Sequence, residues 1–320
     1  MTMARGAMAR RVLSRLGGMI VVLALLVTVV FVIVRVTPGD PAAVMLGPDA
    51  TQADIDQLRA QLGLDQPMLV QYFLYLGQLL HGDLGQSIFL NQPVLSALAD
   101  RAEPTFFLTI FSILIATIIG VPVGIIAAYK RGTLFDQAVV VAAMLSASIP
   151  SFWLGLLLIQ WFSVQMGWFP TSGYGGPYAG FFDRIQHLVL PAVSLGIVNS
   201  ALIVRFTRAS MLDVLQEDYV RTARSKGMSE FRAVMRHAFK NALIPIVTVI
   251  GLTLALLISG AVVTETVFGL PGVGSLVVSA VLRRDYPVIQ GALLVVAAIY
   301  VLINFLIDML YVVIDPRVRY

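Results

Sequence analysis

The 320-residue chain has no cysteine. That excludes a disulfide framework, a thiol nucleophile and any thiolate-held metal or cluster. Charge is also scarce: Asp, Glu, Lys and Arg make up 12% of the residues, against about 25% in soluble domains. Hydrophobic residues make up 58%, and the mean hydropathy is +0.87. A soluble fold has too little polar surface to cover so apolar a chain, so composition points to a polytopic membrane protein. No GxxxxGK[ST] phosphate loop occurs, which excludes that mode of ATP binding, and neither HExxH nor GxSxG occurs. The three histidines, His81, His187 and His237, fall on different loops or opposite membrane sides and make no metal set. The net charge of +4 does not argue for nucleic acid, because basic excess in a membrane protein collects in cytoplasmic loops. Acidic residues inside apolar runs are nearly absent, Asp308 and the edge residue Glu265 excepted. Ion-coupled carriers place ionisable groups in the membrane. Their scarcity argues for a driving force outside this chain, which carries no catalytic constellation and no metal or cofactor site.

What is present is a set of apolar runs near the ~20 residues that cross a bilayer. They are Leu16–Val34, Thr105–Tyr129, Ile185–Val204, Asn241–Thr264 and Tyr286–Ile307, the last continuing to Ile314. A further helix is expected over about 138–166, inside the uncharged run 137–182, whose end is turn chemistry (Gly167, Pro170, Gly173, Gly175, Gly176, Pro177). The first run is too long for a cleaved signal and reads as an uncleaved anchor. The expectation is an all-α polytopic membrane protein with six transmembrane helices. With both termini inside, 16 Lys and Arg lie inside and six outside (Arg35, Arg59, Arg101, Arg184, Arg283, Arg284), a bias that sets the orientation.

Two loops carry structure of their own. The outer one, from Val36 to about Asp100, holds seven Asp and one basic residue, Arg59. Thr51 followed by Asp54 is a helix-start signature, and Pro67 opens a second amphipathic stretch ending near Gly82. This is a helical external subdomain, either a cap on the bundle or a docking surface. The inner loop places Asp218 at a helix start, Gly227 at its left-handed end and Ser229 as the N-cap of a second helix. The positive-inside rule accounts for its charge but not for two capped helices. The chain therefore reads as a cytoplasmic N-terminus (1–15), a first transmembrane helix (16–35), the external subdomain (36–103), a five-helix core (104–314) and a cytoplasmic tail (315–320). Within the core lie the inner loop 209–239 and a Gly/Pro-rich external segment 265–285. Physically, this suits a pathway subunit driven by a separate motor.

These residues resemble the permease subunit of the dipeptide/oligopeptide/nickel class of bacterial ABC importers, the first permease of the pair. The resemblance rests on Pro38-Gly-Asp-Pro41, Leu62-Gly-Leu-Asp-Gln-Pro67, Gly82-Asp-Leu-Gly-Gln-Ser87, Asp218 to Gly227, Glu265 to Gly274, Asp285-Tyr-Pro287 and Asp315-Pro-Arg-Val-Arg319, in order along nearly the whole chain. It implies a type I importer fold in the bacterial inner membrane, forming half of a translocation pathway for peptides. The same architecture also serves nickel, glutathione or other small solutes. A stand-alone secondary carrier would show inverted repeats and intramembrane charge, and neither is clear. The implied partners are a second homologous permease, two P-loop ATPase subunits holding ATP and Mg, an extracytoplasmic substrate-binding protein, membrane lipid and the peptide itself. The inner loop is similar to the EAA motif that docks on the ATPase. Arg221, Thr222 and Ala223 occupy its Glu-Ala-Ala positions, so the Glu is missing, and Gly227 matches its glycine. By that resemblance Tyr219, Arg221, Thr222, Ala223, Arg224, Lys226, Gly227 and His237 are ATPase-coupling residues. Ala223 and Gly227 would permit close approach, and the basic residues would pair with acidic groups. Glu265, Phe268, Pro271, Gly272, Gly274 and Asp285 are pathway or gate candidates, Glu265 either capping backbone or lining the gate. Asp54, Asp56, Asp65 and Asp83 are candidates for docking the binding protein.

Overall fold

The computed structural model describes residues 2–36, 41–47, 50–61, 63–176 and 178–314. The motif residues Pro38, Gly39 and Asp40, together with Asp49, Leu62, Pro177 and the tail 315–320, fall outside the described residues, as do the side chains of Asp308 and of the basic residues before Leu16. Among the described residues there is no strand beyond one isolated bridge, Gln86 to Pro93. Everything else regular is helix, as a bilayer requires of a chain that must pair its own backbone groups.

The helices are α1 (Thr2–Val36), α2 (Pro41–Leu46), α3 (Gln52–Gln61), α4 (Met68–Leu80), α5 (Val94–Tyr129), α6 (Leu134–Ser148) and α7 (Ser151–Leu158). After a π-helical turn, Ile159–Gln165, come α8 (Phe181–Leu215), α9 (Asp218–Ser225) and α10 (Glu230–Arg232). A second π turn, Ala233–Ala238, leads into α11 (Phe239–Val267), followed by α12 (Val273–Arg283) and α13 (Tyr286–Ile314). Among the described residues four helical runs are long and apolar enough to cross a membrane: Val94–Tyr129, Phe181–Leu215, Glu230–Val267 and Tyr286–Ile307. The bent pair α6 and α7 makes a fifth if it counts as one span. The expected first span lies in α1, whose apolar part Gly17–Ile33 is a shorter stretch.

The segment 138–166, expected as one helix, is two, bent by 95°. Pro150 has no N–H to continue the ladder and drives Ile149 into extended backbone (φ −85°, ψ 124°). Composition hid this break because both halves are apolar. Trp153, Trp161 and Trp168 on and after this element are 47%, 54% and 65% exposed, as suits contact with lipid more than a substrate cage.

Contacts divide the chain into two units. The first comprises 1–102 and 276–305. In it α4 lies against the end of α1: Phe31 meets Tyr72 edge-on at 5.2 Å, Thr28 and Tyr72 share a hydrogen bond of 2.7 Å, and Arg35 donates to Gln71 at 2.8 Å. The α3 start is a reciprocal cap, in which Asp54 N–H donates to Thr51 Oγ1 and Thr51 N–H donates to the Asp54 carboxylate.

The second unit comprises 103–275 and 306–320. Buried Leu188, Leu195, Ile203, Val249, Leu257 and Phe268 form its main core. Here α5 and α8 cross at small residues. A Cβ on Gly120 would stand 2.6 Å from Ile203 Cβ, and one on Gly124 2.8 Å from the Val204 carbonyl oxygen. Such seams let backbones approach where lipid offers no hydrophobic drive. The turn between α5 and α6 is tied to α8 by Asp136, 3% exposed, which receives both Nε (2.5 Å) and Nη2 (2.8 Å) of Arg208 and the Gly132 N–H.

Candidate functional site

The 209–239 loop folds as helix, glycine turn, helix. Asp218 stands in the first turn of α9, where its charge favours the helix dipole. The end of α9 is a Schellman turn: Gly227 takes φ +79°, its N–H donates to the Arg224 carbonyl at 2.9 Å, and Met228 N–H donates to the Ala223 carbonyl at 3.3 Å. A side chain at Gly227 would meet nothing within 4 Å, so the glycine serves backbone conformation and not packing. Ser229 occupies the N-cap position of α10 but its side chain makes no capping bond, contrary to expectation. The loop is instead closed by Arg224, which donates to both carboxylate oxygens of Glu230 at 3.2 and 2.7 Å.

One face of α9 is seated on the bundle. Val220 is fully buried and belongs to a cluster with Ala128, Met211, Val234, Ala238, Ala242 and Ile246. Ala223, expected to give an outside partner close approach, is 8% exposed and faces inward, because the helical period puts it on the Val220 side. Tyr219, Arg221, Thr222 and Lys226 remain on the exposed side, with Arg221 3.4 Å from Asp218. His237 lies in the second π turn and its Nε2 is buried without a hydrogen-bond partner.

The pathway candidates separate into two clusters. In the second unit Glu265, at the last turn of α11, is fully buried. One oxygen accepts from Thr105 Oγ1 at 2.5 Å and the other from Ser275 N–H at 2.9 Å, while Thr105 Oγ1 accepts from Val273 N–H at 2.9 Å. The carboxylate therefore satisfies orphan donors at the start of α12. Gly272 and Gly274 make room for it: a Cβ on Gly272 would overlap the carboxyl group, and one on Gly274 would stand 2.6 Å from Val262 Cα. Phe268 is 2% exposed and abuts Gly155, whereas Pro271 is exposed on the turn. Of the two roles open to Glu265, the geometry matches backbone capping.

Asp285 lies in the first unit and caps α13. It is 2% exposed and accepts from Ser87 Oγ at 2.6 Å and from the N–H groups of Ile88 (3.3 Å), Phe89 (3.4 Å) and Val288 (3.5 Å). It is thus a staple between the 86–90 loop and the helix start. Among the carboxylates between α1 and α5, Asp54 caps α3, Asp56 pairs with Arg59 at 2.9 Å, Asp83 accepts from Gly85 N–H at 2.8 Å, and Asp65 is exposed in the turn before α4. Sequence reasoning did not single out Asp136. The signal was there, a Thr133-x-x-Asp136 capping pattern after Gly132, but its partner Arg208 lies 72 residues away.

Residues 120–320 match the family described as binding-protein-dependent transport system inner membrane component, and residues 8–109 match the N-terminal part of such membrane components. The "Probable peptide ABC transporter permease protein y4tP" of Sinorhizobium fredii is 44% identical, covering 97% of this chain and 99% of its own. The glutathione transport system permease protein GsiC of Escherichia coli K12 is also 44% identical, over 98% of this chain and 100% of its own. Among solved structures, the inward-facing MetNI methionine ABC transporter shares the fold, with a TM-score of 0.57, 20% identity, and coverage of 68% of this chain and 96% of that one. The C-terminal match spans more than half of the chain and these relatives span nearly all of it, so the chain belongs to the family of binding-protein-dependent transport system inner membrane components.

Proposed function

We propose that this chain is the permease subunit of an ATP-driven importer of dipeptides or oligopeptides, and that it forms half of the translocation pathway beside a second homologous permease. The supporting observation is α9. A helix with one face locked into the bundle by Val220 and Ala223, ended rigidly by Gly227, and presenting Tyr219, Arg221, Thr222 and Lys226 outward transmits an external push as a rigid body. Two P-loop ATPase subunits, holding ATP and Mg, supply that push. α9 and both termini then lie on the cytoplasmic side of a bacterial inner membrane. A substrate-binding protein delivers cargo to the outer face, where the 36–103 segment meets it, and the 265–274 turn lies over the pathway.

A second reading keeps the architecture and changes the cargo to glutathione, on the strength of the 44% identity to GsiC. The deciding experiment is a mild-detergent pull-down of the tagged chain from native membranes with mass spectrometry, followed by ATPase assays of the reconstituted complex. Co-purification of a homologous permease, P-loop ATPases and a binding protein is expected, with ATP hydrolysis stimulated by di- or tripeptide. Stimulation by glutathione alone selects the second reading. Recovery of the chain alone, active in uptake without ATP, overturns both.

A further inference from the structure

The outer face of this protein is acidic by composition, yet its basic residues are not spread evenly. Of the six Lys and Arg assigned outside, three are engaged within the chain: Arg35 with Gln71, Arg59 with Asp56, and Arg184 with Glu103 at 2.7 Å. Of the other three, Arg101 and Arg283 come together in the first unit, and Arg284 follows Arg283 in the chain. Arg101 and Arg283 line a single cleft of about 130 Å³ with Phe89, Leu90, Ser279 and Asp285. Arg283 is set over the Phe89 ring, 6.0 Å from its centroid. Among the described residues neither Arg101 nor Arg283 forms an ion pair. Asp285, the one carboxylate in the lining, is occupied by Ser87 Oγ and three backbone N–H groups.

Arg284, the residue after Arg283, sets the end of the helix that carries it. Arg284 has φ +57°, the left-handed position that ends α12, with Arg284 N–H donating to the Val281 carbonyl at 3.2 Å and Asp285 N–H to the Ala280 carbonyl at 2.8 Å. Glycine is the usual residue there, and a side chain costs stability.

We infer that this cleft is an oxyanion site that receives an acidic side chain of the docking substrate-binding protein. Two guanidinium groups beside a carboxylate already taken up by four hydrogen bonds can recognise an incoming carboxylate by paired hydrogen bonds. The cleft is well below the ~300 Å³ of ordinary small-molecule pockets, so it suits one group presented by a larger partner. Complementary charge at such a contact steers the encounter and fixes its register. The inference rests on the importer reading and reverses the expected sign of the contact: the outer Asp residues largely serve local structure, while the arginines face the partner.

The test uses the complex recovered with the tagged chain, reconstituted in nanodiscs, and titrates onto it the binding protein that co-purifies, at low and high salt. Arg101→Gln and Arg283→Gln are each expected to weaken docking about tenfold and to flatten its salt dependence, with the second permease and ATPases still bound. Arg284→Gly, at an arginine outside the lining, is expected to raise the unfolding temperature and leave docking unchanged, which separates the cleft from a general loss of positive charge. Docking and salt dependence unchanged in both Arg101→Gln and Arg283→Gln, with wild-type docking intact, overturn the cleft alone. A wild-type complex that carries no binding protein overturns the cleft and the importer reading together.

Discussion

Glu265 and Gly272 are coupled through one shared volume, and a double-mutant cycle would measure it. The Glu265 carboxylate accepts from Thr105 Oγ1 and Ser275 N–H while fully buried. Hydrogen bonds to a charged group are worth ~2 kcal/mol each, so Glu265→Ala is expected to cost about 4 kcal/mol. Gly272→Ala fails for a different reason: the three atoms its Cβ would meet first are all the carboxyl group of Glu265. Overpacking of that kind costs ~1–3 kcal/mol. With Glu265 already truncated, the same methyl enters vacated space and its cost vanishes. The double variant should therefore be no less stable than Glu265→Ala, with a coupling energy of about 2 kcal/mol. The assay is equilibrium unfolding in mixed micelles of rising SDS fraction, followed by the intrinsic tryptophans. Costs that add within ~0.5 kcal/mol would show the two residues to be independent and refute the shared-volume account.

Gly227→Arg is expected to leave the bundle folded, since nothing stands near its Cβ, but to strain the end of α9 by ~1 kcal/mol and uncouple ATP hydrolysis from uptake; transport at the wild-type rate in proteoliposomes would sink the coupling role. Asp136→Asn removes the charge that receives both Arg208 donors and is expected to cost ~3 kcal/mol in the same unfolding assay, whereas Asp136→Asn with Arg208→Gln should recover part of it; no recovery would mean the pair is not the tie. The Tyr174 hydroxyl, which donates to Glu103 at 3.1 Å, is pushed up to about 12 by burial and then by that carboxylate. The folded form thus holds the phenol proton longer than the unfolded form, so stability is expected to fall as pH rises from ~10 toward about 12. Tyr174→Phe should remove this component from alkaline melting curves, and an unchanged slope would count against it.

What the amino-acid order determined by itself was set by the solvent. A bilayer admits only self-paired backbone, so uncharged runs become helices wherever they are long enough, and the expected α13 matches the observed Tyr286–Ile314. Gly227 was legible for a local reason: a left-handed helix end needs only its own neighbours. The turn at Pro150 was within reach of the same logic but was masked because the chain is apolar on both sides of it. Tertiary structure alone decided the rest, because those contacts join residues far apart along the chain. Thr105 meets Glu265 across 160 residues and Ser87 meets Asp285 across 198, so the capping bonds these two carboxylates make at helix starts could not be read from their neighbours in sequence. Ala223 faces inward and Arg221 outward because of the rotational setting of α9, which is fixed by what Val220 packs against. A hydropathy pattern carries the period of a helix, but the partners that fill its buried face are specified only by the folded chain.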